Sequence, residues 1–313
     1  EADMIELWER RLDSSENPER PWVVMQNRGG KDSYVYYGNT DWFHYLFKEN
    51  RPSENHNISI SGGNEKIKFL LSGNFYKQDG IFRFNTDVYK KTNLRSKITA
   101  EINDYITFSN NTSFFNSTYT FPGAGAVNNA FRYASLHGLA SYVPVNPDGT
   151  PTYITIFNSA GIMDGWNALL THGKHMNLDR GVNFSNTSEL TLKIAKGLEI
   201  RGNFTYMYNA TNSTNRRVNV PYSTYPGVIS VWNSGNAENR LSESARRNDY
   251  YATNIYASYK KNYTNHNFSI VGGYNYETRY YKDISVTGWD LLSDDLNDLN
   301  LVGINEETGI ARL

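Results

Sequence analysis

The feature that most constrains this fold is an alternation of apolar and polar residues, which first appears over residues 56–81. Apolar side chains occupy nearly every second position on both sides of a break at Gly62-Gly63-Asn64-Glu65. Alternation with a period of two indicates strands, and two such runs joined by a Gly/Asn break indicate a β-hairpin. The polar face is as long as the apolar face, so one side of this hairpin must meet water or a polar interior.

The same alternation predicts four hairpins along the chain. The turns within hairpins are short and cover residues 62–65, 103–104, 195–197 and 262–265. The connections between hairpins are longer and cover residues 79–87, 120–177 and 212–247. Short turns at one end and long loops at the other are typical of outer-membrane barrels, whose short turns face the periplasm. The strands also exceed the length usual in soluble sheets. The pattern therefore predicts an all-β, antiparallel transmembrane β-barrel, closed because lipid offers no partner to an open strand edge.

The aromatic content supports a protein that meets a membrane interface. The 313 residues include 24 Tyr, 15 Phe and 6 Trp, although the mean hydropathy is only -0.62. Interfacial girdles of barrels are rich in such rings. Four tyrosines fall near predicted strand ends, where a girdle is expected: Tyr206, Tyr208, Tyr274 and Tyr276.

Charge, cysteine content and hydropathy exclude several other classes. A formal net charge of -1 without basic blocks argues against nucleic-acid binding. The chain has no cysteine, which excludes disulfides and thiolate chemistry. No apolar run of about 18 residues exists, so no transmembrane helix is predicted, whereas a transmembrane strand needs only about 9–11 residues. The first residues lack the features of a signal peptide, so we expect a removed signal or an internal piece of a longer chain.

Residues outside the hairpins are expected to be mostly irregular. Residues 1–54 form a loop region with one helix over 2–11 and a second helix that Asp41 caps. Between these helices, four residues are expected to break any regular element: Pro18, Pro21, Gly29 and Gly30. The connection 120–177 is predicted to contain a helix over Val127–Leu136 and a type I turn at 146–149. The tail, residues 284–313, is expected to be mostly irregular.

No catalytic, cofactor or metal site can be placed from the sequence. His172 and His175 lie in a segment expected to be a solvated loop, since no cysteine or suitably spaced carboxylate accompanies them. The acidic cluster of the tail misses the spacing and glycine of a calcium-binding EF-hand: Asp294, Asp295, Asn297 and Asp298. Hydrolase and P-loop motifs are absent from the sequence. Four charged residues on polar strand faces are expected to line the lumen or to form ion pairs: Glu189, Lys193, Glu199 and Arg201.

Substrate contacts are expected from aromatic rings in the loops, although most such rings should pack within their own loops. The sequence does not rank them, so the substrate-binding residues stay unknown. The pool is Phe121, Phe131, Tyr133, Tyr142, Tyr153, Trp166, Tyr222, Tyr225 and Trp232.

Several segments resemble the SusC/RagA-type TonB-dependent transporters. Residues 56–66, 71–75 and 78–81 are similar to the start of that family's barrel, and 41–47 to the loop before it. Residues 89–95 resemble a following strand, with Lys91 and Thr92 departing from the commonest form. Later similarities cover 143–149 and 266–276, so the resemblance runs through nearly the whole chain.

The resemblance implies a 22-stranded barrel with a plugged lumen, of which this chain supplies about eight strands over residues 55–313. The plug domain, the TonB box and the closing strand are expected outside this chain. Family members import glycans or oligopeptides across the outer membrane with energy from TonB, and pair with a SusD-like surface lipoprotein. Neither an enzymatic activity nor a cofactor is implied. Two rivals stay open: a small self-closed barrel acting as an adhesin or structural anchor, and a soluble β-rich glycan-binding protein.

Overall fold

A computed structural model describes residues 4–5, 16, 18–85, 87–122, 127–136, 138–152, 174–232, 239–305 and 308–313. Its main feature is one antiparallel sheet of eight strands in the order β12-β11-β8-β7-β6-β5-β4-β3. The strands are β3 Ser53–Gly63, β4 Ile67–Asp79, β5 Val88–Asn103, β6 Ile106–Pro122, β7 Met176–Ala195, β8 Leu198–Arg217, β11 Arg240–Tyr263 and β12 His266–Trp289. This sheet confirms the predicted all-β fold and the four hairpins.

Smaller elements lie at the end of the sheet that carries the long connections. They are the strands β1 Val23–Arg28, β2 Lys31–Tyr36, β9 Val220–Tyr225 and β10 Val228–Trp232, the helices α1 Trp42–Leu46 and α2 Val127–Leu136, and a 3₁₀-helix over Leu299–Leu301. The predicted boundaries of α2 are confirmed. Apart from residues 4 and 5, the helix predicted over 2–11 lies outside the described residues. No helix in the described ranges combines the length and apolarity needed to cross a bilayer.

The eight-stranded sheet is open. In the described part of the chain, β3 pairs only with β4 and β12 only with β11, so the sheet does not close on itself. The rival prediction of a small self-closed barrel is therefore wrong. Within the described residues, β3 and β12 are therefore the two edge strands of the sheet.

The strands next to the third long connection extend much further than predicted. Residues 212–217 continue β8, and β11 begins at Arg240, not near residue 249. A separate hairpin, β9–β10, occupies part of the remaining segment. The long polar connection predicted over 212–247 is therefore shorter than expected and begins after Arg217. Both faces of these strand extensions are polar, which removes the apolar-polar contrast that marks a strand in sequence.

Two further predictions needed correction. Residues 23–36, expected to be irregular, form the β1–β2 hairpin, in which Gly29 and Gly30 adopt φ values of +60° and +83°. Positive φ at both central positions gives a two-residue turn whose twist matches the strands, so these glycines allow the hairpin. The tail was expected to become irregular at residue 284, but β12 continues to Trp289.

The main hydrophobic core lies beside the sheet, at its loop end. This loop-end core joins β2, α1, the connection after β4 and the segment 138–152. Its buried members are Tyr34, Tyr36, Trp42, Leu46, Phe47, Phe82, Ala134, Tyr142 and Val143. As predicted, Asp41 caps α1, since its side chain accepts a hydrogen bond of 3.0 Å from the His44 backbone N–H.

The two faces of the sheet differ in chemistry. One face carries exposed apolar side chains on every strand pair: Ile58 is 68% exposed, Leu94 52% and Ile255 50%. The opposite face carries asparagine, serine, threonine and charged residues. Ile58 pairs with Gly73, Gly73 with Leu94, and so on along the register, so the apolar positions share one face. This arrangement is typical of a transmembrane barrel wall, with the apolar face toward lipid and the polar face toward the lumen.

The four tyrosines expected at strand ends lie elsewhere. Tyr206 and Tyr208 lie in the middle of β8, and Tyr274 and Tyr276 in the middle of β12. The prediction was wrong because the strands continue beyond the apolar band toward the loop end. The rings of Tyr206 and Tyr251 still stack on the apolar face, with centroids 4.9 Å apart.

Candidate functional site on the polar face of the sheet

A row of asparagines crosses the polar face at a single level of the strand register. Six of the eight strands contribute an asparagine to this level, and β6 and β12 contribute an aromatic residue. We call this set the asparagine row: Asn57, Asn74, Asn93, Phe115, Asn183, Asn209, Asn248 and Tyr281.

Neighbouring amides in the asparagine row are hydrogen-bonded. The Asn74 Nδ2 donates to the Asn57 Oδ1 at 2.6 Å, and the Asn93 Nδ2 donates to the Asn74 Oδ1 at 3.2 Å. The Asn183 amide likewise donates to Asn209. The Asn74 Nδ2 also donates to the Asn55 Oδ1 at 2.5 Å, so the amides of the row form a continuous hydrogen-bonded surface.

Asn248, next to last in this row, has a buried polar atom without a partner among the described residues. Its Oδ1 is buried and accepts no hydrogen bond within the described residues. A buried acceptor without a donor is unfavourable by about 1–3 kcal/mol.

A second hydrogen-bonded series lies on the same face, nearer the short turns. The Asn254 Nδ2 donates to the Asn203 Oδ1 at 2.9 Å, and the Asn275 Nδ2 donates to the Asn254 Oδ1 at 2.6 Å. Glu189 pairs with Asn203 in the register and continues this level onto β7. The polar face therefore presents amides at two heights of the wall.

An aromatic stack lies on the polar face above the asparagine row, toward the loop end. Ring centroids are 6.2 Å apart for Tyr76 and Tyr89, 6.1 Å for Tyr89 and Tyr119, and 4.6 Å for Tyr119 and Phe121. The Lys91 ammonium lies 5.0 Å from the centroid of the Tyr76 ring, a cation–π distance. We call Tyr76, Tyr89, Tyr119 and Phe121 the aromatic stack.

The charged residues predicted on polar strand faces behave in part as expected. Glu199 and Arg201 lie on the polar face of β8 and form an ion pair. Lys193 pairs with Glu199 in the register, which places its side chain on the same face. The predicted role of ion pairing is therefore confirmed for Glu199 and Arg201.

Of the five loop aromatics whose side chains the structure describes, four pack within the loop end. Tyr142 and Tyr222 are buried there, and Phe131 stacks on Phe47 with a centroid distance of 4.4 Å. Tyr225 lies under the Lys31 ammonium. Phe121 belongs to the aromatic stack on the polar face. The remaining pool members lie outside the described side chains: Tyr133, Tyr153, Trp166 and Trp232.

The residues considered for metal binding have other surroundings or partners where the structure describes them. His175 is buried, at 1% exposure, so its predicted solvated environment was wrong, and His172 lies outside the described residues. Asp294 accepts a hydrogen bond from Asn239, and Asp295 pairs with Lys174. Within the described part of the chain, no group of three potential protein ligands could hold a metal.

The electrostatics of the loop end centre on a tyrosine–carboxylate pair. The Tyr34 hydroxyl donates a hydrogen bond of 2.8 Å to the Asp148 Oδ2. Burial, this hydrogen bond and the negative charge of Asp148 raise the pKa of Tyr34 to about 12. Partial burial raises the pKa of Asp148, but hydrogen bonds from Thr150 and Tyr34 outweigh it and hold that pKa below its usual value.

Sequence comparison finds a relative among known receptors, although no protein-family model matches the chain. TonB-dependent receptor P3 of Formosa agariphila is 23% identical over 275 residues, which cover 85% of this chain and 25% of that protein. This chain is a homologue of TonB-dependent receptors. It spans about a quarter of the length of this relative.

Solved structures give the fold of this TonB-dependent receptor homologue independently. The RagAB peptide transporter matches with a TM-score of 0.66 and 18% identity, over 86% of this chain and 29% of that chain. The open-open state of the RagAB peptide importer matches with a TM-score of 0.65 over 87% of this chain. The eight-stranded sheet therefore has the fold of part of the RagA barrel. As a TonB-dependent receptor homologue, this chain belongs to the bacterial outer membrane. This location contradicts the alternative hypothesis of a soluble β-rich glycan-binding protein.

Proposed function

We propose that this chain forms part of the wall of an outer-membrane transporter that imports a glycan or an oligopeptide with energy from TonB. A SusD-like surface lipoprotein is the proposed partner on the outside. The observation that carries the proposal is the contrast between the two faces: exposed apolar side chains on one, and the asparagine row with the aromatic stack on the other. A wall with these faces separates lipid from a polar passage.

The orientation of the wall follows from its connections. Periplasmic turns of outer-membrane barrels are short, and extracellular loops are long. We assign the turns at 64–66, 104–105, 196–197 and 264–265 to the periplasm. The loop-end core, which includes residues from the segment 1–54, then lies outside the cell, and the aromatic stack lies at the outer mouth of the passage.

The chemistry of the polar face fits a neutral ligand with many hydrogen-bonding groups. Amides of the asparagine row can donate to and accept from sugar hydroxyls or peptide amides. Rings of the aromatic stack offer apolar contact for a flat sugar face or an apolar side chain. RagAB is a peptide transporter, and peptides are one of the two cargo classes proposed here.

The proposed activity involves binding and movement and breaks no covalent bond. TonB-dependent transporters are not enzymes, and the polar face of the described strands carries amides, rings and ion pairs suited to reversible contact. Reversible hydrogen bonds suit a passage from which the cargo must also leave.

Uptake by cells that carry the full-length protein tests the proposal. Cells would receive fluorescent oligosaccharide and oligopeptide pools, with and without active TonB. We expect uptake of one pool, loss of that uptake without TonB, and a several-fold loss in the Asn93→Ala and Tyr119→Ala variants. Leu94→Ala, on the apolar face next to Asn93, is the matched control and should import normally. Uptake of neither pool, or uptake that does not need TonB, would overturn the proposal.

A further inference from the structure

Two arginines lie directly opposite each other where β8 and β11 reach the loop end. Arg217 is the last residue of β8, Arg240 is the first residue of β11, and the two are register partners. Directly opposite residues of antiparallel strands have Cα atoms about 4.5–5.5 Å apart and side chains on the same face. We call Arg217 and Arg240 the arginine pair.

The arginine pair lies on the polar face of the wall. Arg217 follows Asn209 of the asparagine row by an even number of positions, and Arg240 precedes Asn248 of that row by an even number. All four side chains therefore share one face, with the pair above the asparagine row at the outer mouth of the proposed passage. On the next strand, Trp289 pairs with Arg240 in the register and brings an indole ring to the same level.

No counter-charge balances the arginine pair within the described residues. Burial and the positive charge of Arg240 lower the pKa of Arg217 to about 10, and no described carboxylate acts in the opposite direction. The Nε of Arg240 is buried and donates to no described residue. Like charges directly opposite in a sheet are destabilising, and a buried donor without an acceptor adds to that cost.

The neighbouring Arg216 shows how the fold supplies partners to an arginine that serves the structure. Its side chain lies on the opposite face and is completely buried, with Asp294 3.9 Å from its guanidinium. It donates to the Ser293 carbonyl at 2.9 Å, the Arg240 carbonyl at 3.0 Å and the Asn297 Oδ1 at 3.1 Å. The side chains of the arginine pair have no such set of acceptors among the described residues, and both members remain partly exposed.

A carboxylate is the group that matches the arginine pair. A guanidinium is planar and presents parallel N–H donors to the two oxygens of a carboxylate. A carboxylate between Arg217 and Arg240 would give acceptors to both and offset their repulsion. The asparagine row below the pair is uncharged, so the ligand that fits both levels is an otherwise neutral molecule with one negative group.

We propose that the arginine pair binds a carboxylate of the cargo at the outer mouth and that Trp289 contacts the adjacent part of the ligand. This inference rests on the proposed function and narrows its cargo to oligopeptides with a free carboxyl terminus or oligosaccharides with a carboxylated sugar. The positive charge draws the ligand to the mouth. The two guanidinium groups then orient it, with its carboxylate outermost and its neutral part toward the asparagine row.

Binding to the purified full-length protein tests the inference. One probe is an oligopeptide pool without acidic side chains, made with free or with amidated carboxyl termini. The other is an oligosaccharide pool with uronic acids or with those acids reduced to neutral sugars, and all pools carry an uncharged fluorophore. We expect one carboxylate pool to bind about tenfold more tightly than its neutral counterpart, as for hydrogen bonds to charged groups. That pool identifies the source of the carboxylate. Absent or equal binding within both pairs would overturn the inference.

Removal of the arginine pair provides the second test. Arg217→Gln with Arg240→Gln should abolish the preference for the carboxylate. The matched control, Lys90→Gln with Arg180→Gln, removes two exposed positive charges from the opposite face near the loop end and should keep the preference. A preference that survives in the arginine variant, or that the control also loses, would contradict the inference.

Stability separates a binding role of the arginine pair from a structural one. Loss of two like charges that face each other should leave the Tm of the ligand-free protein unchanged or raise it. A lower Tm of the arginine variant than of the control would instead indicate a structural role and overturn the inference. Heat-modifiable migration reports folding, and the comparison of pools on the wild-type protein decides the inference if the arginine variant does not fold.

Uptake with and without active TonB judges the proposed function separately. Uptake that needs TonB but is equal for carboxylate and neutral pools would overturn the inference and leave the transporter. Carboxylate-selective binding without TonB-dependent uptake would overturn the proposed function and leave the carboxylate site.

Discussion

The hydroxyl of Tyr36 donates a hydrogen bond of 2.7 Å to the Asn146 Oδ1, although 110 positions separate the two residues. The same asparagine donates to the Ser223 carbonyl at 3.1 Å and accepts a bond of 3.3 Å from the Thr152 hydroxyl. One buried amide therefore joins β2, the segment 138–152 and β9. This contact joins the segment before the first hairpin of the sheet to two of the long connections between hairpins.

We expect Asn146→Ala to loosen the loop end without affecting the sheet. The substitution deletes buried hydrogen bonds and is expected to cost about 1–3 kcal/mol locally. Limited proteolysis of intact cells should cleave the variant several times faster at the loop end, while heat-modifiable migration stays normal. Asn27→Ala, which removes an exposed bond to Asp32 at the β1–β2 tip, is the control and should behave like wild type. Equal cleavage of both variants would contradict the assigned role.

Gly197→Ala should impair assembly more than the same substitution at Gly149. Both glycines have positive φ, +85° and +84°, so both variants carry similar backbone strain. A side chain at Gly197 would also collide with the Lys260 carbonyl oxygen of β11, whereas Gly149 faces open space. Yields of folded protein in the outer membrane measure the difference. Equal yields would show that the close approach of the turn to β11 is unimportant.

The Tyr34–Asp148 contact should depend on pH at two limits. The pKa of Tyr34 is raised, so its contribution to stability is complete below its ordinary value near 10.0 and is lost as pH rises toward about 12. The pKa of Asp148 is lowered, so its contribution is complete above its ordinary value of 3.8 and is lost as pH falls below it. Ultraviolet difference titration of wild type against Tyr34→Phe isolates the Tyr34 ionisation.

The matched variant for that titration is Asp148→Asn. It removes the negative charge and weakens the acceptor, so Tyr34 should ionise at lower pH than in wild type. If Tyr34 ionises at the same pH in both proteins, Asp148 does not control its pKa.

Removal of the cap at Asp41 should destabilise α1. The Asp41 carboxylate accepts from the His44 backbone N–H, and this bond is the main cause that lowers its pKa. Loss of such a cap costs about 0.5–2 kcal/mol. Because α1 supplies Trp42 and Leu46 to the loop-end core, Asp41→Ala should expose the segment to protease. Asp32→Ala, at a hairpin tip with no helix to cap, is the comparison variant and should retain protease resistance.

Local patterns in the sequence were sufficient to predict the four hairpins of the sheet. The alternation around Ile58 and Leu94 shows which residues share a face, because side chains of a strand point alternately to opposite sides. Asp41 and Gly149 reveal a helix start and a turn through short-range chemistry. The sequence also contains a signal for the β1–β2 hairpin, since Gly29-Gly30 lies between two runs rich in valine and tyrosine. The hairpin was not predicted because these glycines were interpreted as residues that break regular structure.

The asparagine row illustrates what local signals could not reveal. Asn74, Asn93 and Asn209 occur at unremarkable positions in their own strands, and only the register between strands brings them to one level. The same is true of Asn110 and Asn186, whose side chains are hydrogen-bonded although they are far apart in sequence.

The sequence alone determined that this chain forms long amphipathic hairpins, because the period-two pattern is a property of each strand taken separately. Tertiary structure decided which side chains meet: the rows on the polar face and the contact of Tyr36 with Asn146. The physical reason is that backbone hydrogen bonds between strands fix the register and polar contacts between distant loops fix the packing, and neither is written in a local pattern.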